Sequence, residues 1–522
     1  MRINAKNAGL TFILAAALLI VVDAFLVWPY AYRTGYGHGD VQAMEFALFF
    51  WSKNHGPLPH FAYGRDFSFG WYYLMLYLSK LFKFPLQPET FPWVANFSAS
   101  IASTITSICL LGILVRFFPL AVALTAVILW RFIPEVWELS TYAHPWTIAM
   151  PFLTAGAWVY TAQLGHDGTL NKSWKFYLSC IASTLLMTAS LTIRADMVFF
   201  MPLLIVLVYF HNRKAVLPLV IIMTSSCILF LLLRHLAVGG TRPSVIDYVA
   251  RFARLERIPI NLMLALYPIS GYLLMITATY LLKPKNKAKI PPVYLVAGLL
   301  ALAPTLLFWL PIGPCLRHFT PLYITVAVLC AYLLVKGLNL TTFPSTSFAV
   351  VSLLLSNMLV TELAFQTLSP MFPPRTVQIG VQRRVMESVA LGIPWLNHIA
   401  IQRLNELQEQ YCVSALSRLD TRPVILVQME PYRLCVLAME RFGTVKRFKS
   451  DNGLTVWQLG TSENAPWCVD IPESADREWL KNLQSFAERH KRELRFLGPR
   501  IPKALIVALE EQTLNEVQSA KK

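Results

Sequence analysis

Residues 32–67 read YRTGYGHGDVQAMEFALFFWSKNHGPLPHFAYGRDF, a polar stretch that follows the first apolar segment of the chain. Glycines at 35, 37 and 39 permit a tight backbone turn just before Asp40. Residues 41–51 then have the apolar periodicity of a helix that lies at a membrane surface. Glu45 and Asp66 are further acids of this stretch. A solvated connector is the simpler interpretation, but few other stretches of the chain could carry chemistry.

The composition is that of a membrane protein. Of 522 residues, 56% are hydrophobic and 14% are charged, and the mean hydropathy is +0.50. A chain this apolar matches a polytopic membrane protein that carries one soluble domain. The net charge is +17, and residues 1–365 hold 25 Lys and Arg against 12 Asp and Glu. Because the positive excess lies in the apolar part, it indicates membrane topology and lipid contact rather than nucleic acid.

Apolar segments that could cross a bilayer, which takes about 20 residues each, recur eleven times along the chain. They lie at 8–30, 92–116, 118–133, 145–163, 176–193, 196–211, 215–233, 261–283, 291–311, 318–336 and 344–366. Residues 67–82 could also span, or could lie flat on the outer surface. The lysine-rich loop at 283–289 faces inward only if residues 67–82 lie flat, and the positive-inside rule therefore favours the flat arrangement.

The predicted fold is thus an all-α polytopic membrane domain, residues 1–368, with about eleven transmembrane helices. Two further helices, 41–51 and 67–82, are expected at the outer interface. The N-terminus is expected in the cytoplasm and the C-terminus outside, in the inner (plasma) membrane. The eight cysteines have no metal-ligand spacing, so neither a zinc site nor a disulfide framework is predicted.

Residues 369–522 are predicted to form a small extracytoplasmic α/β domain. A proline-rich linker at 370–374 precedes it. Helices are expected at 400–412, 431–442 and 476–495, and strands at 422–429, 444–450 and 454–459. This region has no catalytic motif, so we expect it to cover the outer cavity or to bind a partner.

Acids and cations gather at the outer ends of the predicted helices. The acids include Asp40, Glu45, Asp66, Glu135, Glu138 and Asp196, and Asp23 lies in the outer half of the first span. Acidic side chains in or near a bilayer cost free energy, and their presence therefore suggests that they have a functional role. Together with Arg194 and Arg317, they suggest a cavity for an anionic lipid phosphate. The simpler alternatives are a helix cap for Asp40, an ion pair with Asp196 for Arg194, and a membrane anchor for Arg317.

The chain resembles the GT-C membrane glycosyltransferases, in particular the branch of protein mannosyltransferases and lipid A aminoarabinose transferases. The resemblance covers about residues 8–340 as an order of features. It consists of an acid after the first span (Asp40), a cation opening the sixth span in LTIRADMVFFMPLL (Arg194), and the element Arg317-His318-Phe319-Thr320-Pro321-Leu322, where the family has Arg-Tyr-x-x-Pro-Leu.

The chain departs from that family at two places. Family members often carry paired acids after the first span, but here Val41 follows Asp40. A second acid usually opens the fourth span, where this chain has His144 in STYAHPWTIAM and Glu135 and Glu138 shortly before it. The first departure weakens the case for a metal, so no metal ligands are predicted and a divalent ion stays only an open alternative.

The resemblance implies transfer of a sugar from a polyprenyl-phosphate donor to a glycan, lipid or protein acceptor on the outer face, with inversion. Asp40 would be the general base, because an inverting transfer needs a carboxylate at the acceptor hydroxyl. The secondary acid or base candidates are Glu45, Asp66, Glu138 and His144. The residues expected to bind the lipid phosphate are Arg194, Arg317 and His318, and the fixed positive charge of the two arginines would stabilise the leaving phosphate. For His144, termination of a loop is the alternative.

A transporter or flippase for lipid-linked sugars or polysaccharides is the competing class, because the same charges could line a translocation path. That class predicts internal repeats or paired broken helices. The two halves of the chain have no convincing self-similarity, which favours the enzyme. A non-catalytic scaffold for polysaccharide assembly is the third alternative, and it would make Asp40 dispensable.

Overall fold

The structure is a computed structural model. It describes residues 5–33, 48–49, 65–81, 91–164, 173–238, 253–282, 292–312, 316–337 and 343–368. Beyond these it describes seven short strands after residue 375 and single residues or short groups between 398 and 491.

The described residues up to 368 form a bundle of α-helices. The helices are α1 (Ala5–Leu26), α2 (Arg65–Leu81), α3 (Phe91–Phe117), α4 (Leu120–Arg131), α5 (Pro134–Leu139), α6 (Pro145–Thr161), α7 (Trp174–Ile193), α8 (Met201–His211), α9 (Val216–Val238), α10 (Ile258–Leu266), α11 (Ser270–Leu282), α12 (Pro292–Ile312), α13 (Thr320–Tyr332) and α14 (Phe343–Leu368). Short 3₁₀ segments include Ala195–Phe200 before α8 and Leu316–Phe319 before α13.

Seven segments of the described chain are long and apolar enough to cross a membrane, as expected of a multi-pass membrane protein. They are Gly9–Tyr30, Phe91–Phe117, Trp174–Ile193, Arg213–Val238, Leu255–Thr279, Arg317–Lys336 and Ser345–Ala364. Each coincides with a predicted span. The other four predicted spans fall on α4, α6, α8 and α12, which are not among the seven, so the count of eleven stays a prediction. Helix α2, predicted to lie flat at 67–82, is also not among the seven.

Close helix contacts depend on small residues at the crossings. Helix α6 packs against α3 and α7, and α7 also packs against α2 and α9. At Gly112 of α3, the ring of Trp158 lies where a side chain would begin. Gly271 of α11 meets the backbone of Asn357 in the same way. Small residues are common at such crossings because they let two helix backbones approach closely.

The two ends of the bundle differ in their side chains. At one end, the Phe117 ring packs edge-on against His211, and Tyr160 donates a hydrogen bond to the Ala215 carbonyl. Described cations at this end include Arg116, Lys175, Arg213, Lys214 and Lys336. At the opposite end lie the C-termini of α1, α7 and α12 and the N-termini of α3, α6 and α13. The predicted site residues that the structure describes lie at this second end.

After residue 375, the described residues are mainly strands. β1 (Thr376–Ile379) pairs with β2 (Gln382–Val385) in an antiparallel ladder. A five-stranded mixed sheet has the order β4-β5-β3-β6-β7, built from β3 (Ile425–Val427), β4 (Val445–Lys449), β5 (Thr455–Leu459), β6 (Trp467–Ile471) and β7 (Leu494–Pro499). β4 and β5 are antiparallel, whereas β3–β6 and β6–β7 are parallel.

Strands β3, β4 and β5 fall within the strands predicted at 422–429, 444–450 and 454–459. The predicted helix at 431–442 lies outside the described residues, and those at 400–412 and 476–495 are described only in part. The last prediction runs too far, because Leu494 and Arg495 already pair with β6. The α/β domain as a unit therefore stays a prediction.

Candidate functional site

The predicted general base, Asp40, lies outside the described residues, as does Glu45, because both fall within residues 34–47. The backbone of Asp66 belongs to the first turn of α2, but its side chain is also outside them. Of the predicted interfacial helix at 41–51, the structure describes only Leu48 and Phe49, both buried. The roles of these three acids therefore stay predictions.

Glu138 is the secondary candidate acid whose side chain the structure describes. It lies on α5 with 1% of its surface exposed, and its Oε1 accepts a hydrogen bond from the Tyr32 hydroxyl. Burial raises the pKa of Glu138 to about 8, although the hydrogen bond from Tyr32 acts in the opposite direction. Burial likewise raises the pKa of Tyr32 well above its usual value. A carboxyl that titrates near neutral pH can take up or release a proton during a reaction.

Backbone contacts fix Tyr32 beside α5. The Tyr32 amide donates to the Thr141 carbonyl at 3.0 Å. Asn96 of α3 donates to the Tyr32 carbonyl at 2.8 Å and accepts from the Ala143 amide at 2.7 Å. The end of α1, the start of α3 and the segment after α5 are thereby tied together around the Tyr32–Glu138 pair.

His398, which belongs to the region beyond residue 369, packs beside the Tyr32–Glu138 pair. Its ring stacks on Tyr32 with centroids 4.1 Å apart, and it meets the edges of Tyr30 and Trp137 at 5.5 and 5.8 Å. Only 6% of the residue is exposed, and this burial lowers the pKa of His398 to about 4. Sequence analysis missed His398, because a single histidine without neighbouring acids or glycines gives no signal.

His144 makes the contact expected of the alternative interpretation, a residue that ends a loop, and its role in the site stays a prediction. It precedes α6 as the N-cap residue, and its Nδ1 accepts a hydrogen bond from the Trp146 amide at 3.0 Å. Its ring lies edge-on to Tyr142, with centroids 5.8 Å apart. These contacts end the loop and start the helix.

Arg194 and His318, two of the predicted phosphate-binding residues, meet at one carboxylate. Arg194 Nε donates to Asp196 Oδ1 at 3.0 Å, and His318 Nδ1 lies 2.9 Å from Asp196 Oδ2. The alternative interpretation of Arg194, an ion pair with Asp196, is therefore observed. Asp196 belongs to the 3₁₀ segment before α8, and His318 to the one before α13. Side chains that are 122 positions apart thus lie together at the second end of the bundle.

The His318 ring is also held by stacking. It lies flat on Trp309 of α12, with centroids 3.5 Å apart and planes inclined by 5°. Arg317 precedes it, and the Arg317 carbonyl accepts a hydrogen bond from Thr320 at 2.8 Å. The 3₁₀ segment 316–319 packs against α5, the helix that carries Glu138. The cluster around Asp196 and the Tyr32–Glu138 pair therefore lie on neighbouring elements.

Asp23, an acid that sequence analysis marked in the first span, has a structural setting. Its Oδ1 accepts from Arg131 Nε at 3.1 Å, and its Oδ2 accepts from Thr104 at 2.7 Å. Arg131 also donates to the Ser140 hydroxyl. Asp23 and Arg131 are 2% and 1% exposed, so the pair is enclosed between α1, α3 and α4 and is not part of an open site.

Neither protein-family models nor curated proteins match this sequence. Solved structures show distant similarity. ArnT from Cupriavidus metallidurans, bound to undecaprenyl phosphate, aligns over 94% of this chain and 90% of its own, at 10% identity and a TM-score of 0.45. The oligosaccharyltransferase of Archaeoglobus fulgidus in the apo form aligns over 78% of this chain and 58% of its own, at 10% identity and a TM-score of 0.42.

Proposed function

We propose that this chain is a membrane glycosyltransferase that moves a sugar from a polyprenyl-phosphate-linked donor to an acceptor on the outer face, with inversion. The observation that carries this proposal is the junction at Asp196. There, Arg194 and His318 meet at the bundle end that also holds the buried Tyr32–Glu138 pair. A guanidinium and an imidazole beside carboxylates in one place suit a phosphate leaving group together with a hydroxyl acceptor.

In the proposed reaction, the acceptor oxygen attacks the anomeric carbon from the face opposite the phosphate. The bond between that carbon and the phosphate oxygen breaks, and its electron pair stays on the phosphate. Arg194 and Arg317 would stabilise the negative charge that develops there. Asp40 would take the proton of the acceptor hydroxyl, and Glu138 is the first alternative because it is buried beside the cluster and burial raises its pKa, which makes its carboxylate a stronger base.

The finer parts of the proposal follow the predicted topology. Residues 1–368 would form the catalytic membrane domain in the inner (plasma) membrane, with the N-terminus in the cytoplasm. Residues 369–522 would lie outside and help to bind the glycan, lipid or protein acceptor. The contact of His398 with Tyr32 supports a place for this region close to the proposed reaction.

The test is release of polyprenyl phosphate from candidate lipid-linked sugars by the full-length protein in lipid nanodiscs. We expect wild type to release it in the presence of acceptor and Arg194→Gln to lose most of the rate. Arg213→Gln is the matched control, because Arg213 lies over the Tyr209 ring at the opposite end of the bundle. Failure of wild type to release phosphate from any candidate sugar, or an equal loss in the control, would contradict the proposal.

A further inference from the structure

Each oxygen of the Asp196 carboxylate contacts a different side chain. Oδ1 faces Arg194 Nε at 3.0 Å, and Oδ2 faces His318 Nδ1 at 2.9 Å. In both partners the contact is made by the nitrogen nearer the backbone. No residue that the structure describes hydrogen-bonds to the outer nitrogens, which are Nη1 and Nη2 of Arg194 and Nε2 of His318.

The two side chains are held in place, and they differ in exposure: the His318 side chain is 4% exposed, whereas that of Arg194 is more open to a ligand. Arg194 is 16% exposed at its side chain, so its guanidinium is not sealed inside the bundle. His318 cannot rotate freely, because its ring lies flat on Trp309 and its Nδ1 faces Asp196. A histidine with a proton on Nδ1 toward a carboxylate presents Nε2 in a fixed direction.

We propose that Asp196 is a positioning residue that holds Arg194 and His318 so that their outer nitrogens bind one phosphate group. This inference rests on the proposed function, because the phosphate is that of the polyprenyl donor and product. With Nδ1 facing Asp196 and Nε2 facing a phosphate oxygen, the His318 ring would lie between two anions. Nη1 and Nη2 of Arg194 offer two further donors to the same phosphate.

The positioning role and a simple charge effect predict opposite changes in phosphate binding when the charge of Asp196 is removed. A carboxylate next to an anion site repels the anion, so removing its charge should strengthen phosphate binding. If Asp196 acts by positioning, removing its charge should instead weaken binding, because Arg194 and His318 lose the partner that orients them. Asp196→Asn keeps the size of the side chain and therefore separates the two effects.

The experiment measures binding of undecaprenyl phosphate to the full-length protein in nanodiscs by native mass spectrometry. We expect Asp196→Asn to weaken binding by about tenfold or more, the loss of roughly one charge-assisted hydrogen bond. Unchanged or tighter binding by folded Asp196→Asn would overturn the proposal. Inorganic phosphate is the second probe: competition at micromolar concentration would mean a site for free phosphate rather than for the lipid.

Three substitutions of His318 test whether Nε2 is the group that matters. His318→Gln places an amide nitrogen near the position of Nε2, whereas His318→Asn places it near Nδ1. His318→Phe keeps only the stack on Trp309. We expect Gln to bind undecaprenyl phosphate better than Asn or Phe by about tenfold. Equal losses in all three would indicate a packing role and overturn the proposal.

Sugar transfer, measured in parallel, separates this inference from the proposed function. If wild type binds undecaprenyl phosphate but transfers no sugar, the proposed enzyme fails while the binding comparison still tests Asp196. If wild type transfers sugar and Asp196→Asn has an unchanged donor KM, the positioning role fails alone. We expect the donor KM to rise more than kcat falls, because Asp196 contacts neither the sugar nor the acceptor in the proposed reaction.

Discussion

Asp23→Asn should destabilise the membrane domain strongly. The substitution keeps the size of the side chain but leaves the Arg131 guanidinium, which is 1% exposed, without its countercharge. Removing one partner of a buried ion pair typically costs about 3–5 kcal/mol, because the remaining charge is left in a medium of low dielectric. Thr104 can still contact the introduced amide, and Ser140 can still contact Arg131, so we expect the lower part of this range, about 3 kcal/mol.

The double substitution Asp23→Asn with Arg131→Met should recover most of that loss, because no buried charge remains and Met fills much of the arginine volume. Reversible unfolding in mixed detergent micelles measures the free energy of unfolding of each variant. Ser226→Ala is the control: its hydroxyl donates to the Ile222 carbonyl in its own helix at 2.8 Å, with the Thr184 carbonyl of α7 at 3.2 Å as a second acceptor. Loss of this neutral hydroxyl should cost about 1 kcal/mol. A cost for Asp23→Asn no greater than that of the control would refute the reasoning.

Other predictions concern the proposed reaction and the docking of His398. Asp40→Asn should fold, bind donor and lose about 10²–10⁴-fold in transfer rate; transfer near the wild-type rate would assign the base elsewhere. Tyr32→Phe removes the hydrogen bond that lowers the pKa of Glu138, so infrared titration of the carboxyl should show a value above about 8, and a downward shift would contradict this assignment. His398→Ala should increase cleavage by protease in the linker at 370–374, because the substitution removes the stacking contact with Tyr32, and unchanged cleavage would argue against docking through His398. Burial lowers the pKa of His398 from 6.5 to about 4, so the undocked ring binds protons more readily than the docked one. Docking is therefore at full strength above pH 6.5 and is lost as the pH falls toward 4, and the same protease assay should show rising cleavage in wild type across this range but little pH dependence in His398→Ala.

The helices were predictable because the apolar runs are continuous and long, and a long apolar composition is nearly sufficient to predict a membrane-spanning helix. The seven segments long enough to span coincide with predicted ones for this reason. Helices α4 and α8 were predicted from the same composition, but they have only 12 and 11 residues. Composition does not fix where an apolar run bends, and Pro119 and Pro202 lie where these two helices begin.

The site was predictable only where partners lie close in the sequence. The Arg194–Asp196 pair could be anticipated, because the two charges are only two positions apart. The contact between Asp196 and His318 joins segments 122 positions apart, and the sequence of neither segment indicates that the other is its partner. The same holds for the pairs Asp23–Arg131 and Tyr32–His398, because tertiary packing determines which residues meet. Asp40, the most prominent sequence signal, lies outside the described residues.

The spacing of Arg194 and Asp196 has a consequence for biogenesis. A membrane chain is inserted from its N-terminus, so this segment enters the bilayer before residue 318 has been synthesised. Isolated charges are costly there, but two opposite charges two positions apart can neutralise each other during insertion. His318 can join Asp196 only after the later helices have arrived, so the phosphate site would be completed late. Ribosome-bound chains that stop before residue 318 should therefore insert normally and yet fail to retain undecaprenyl phosphate.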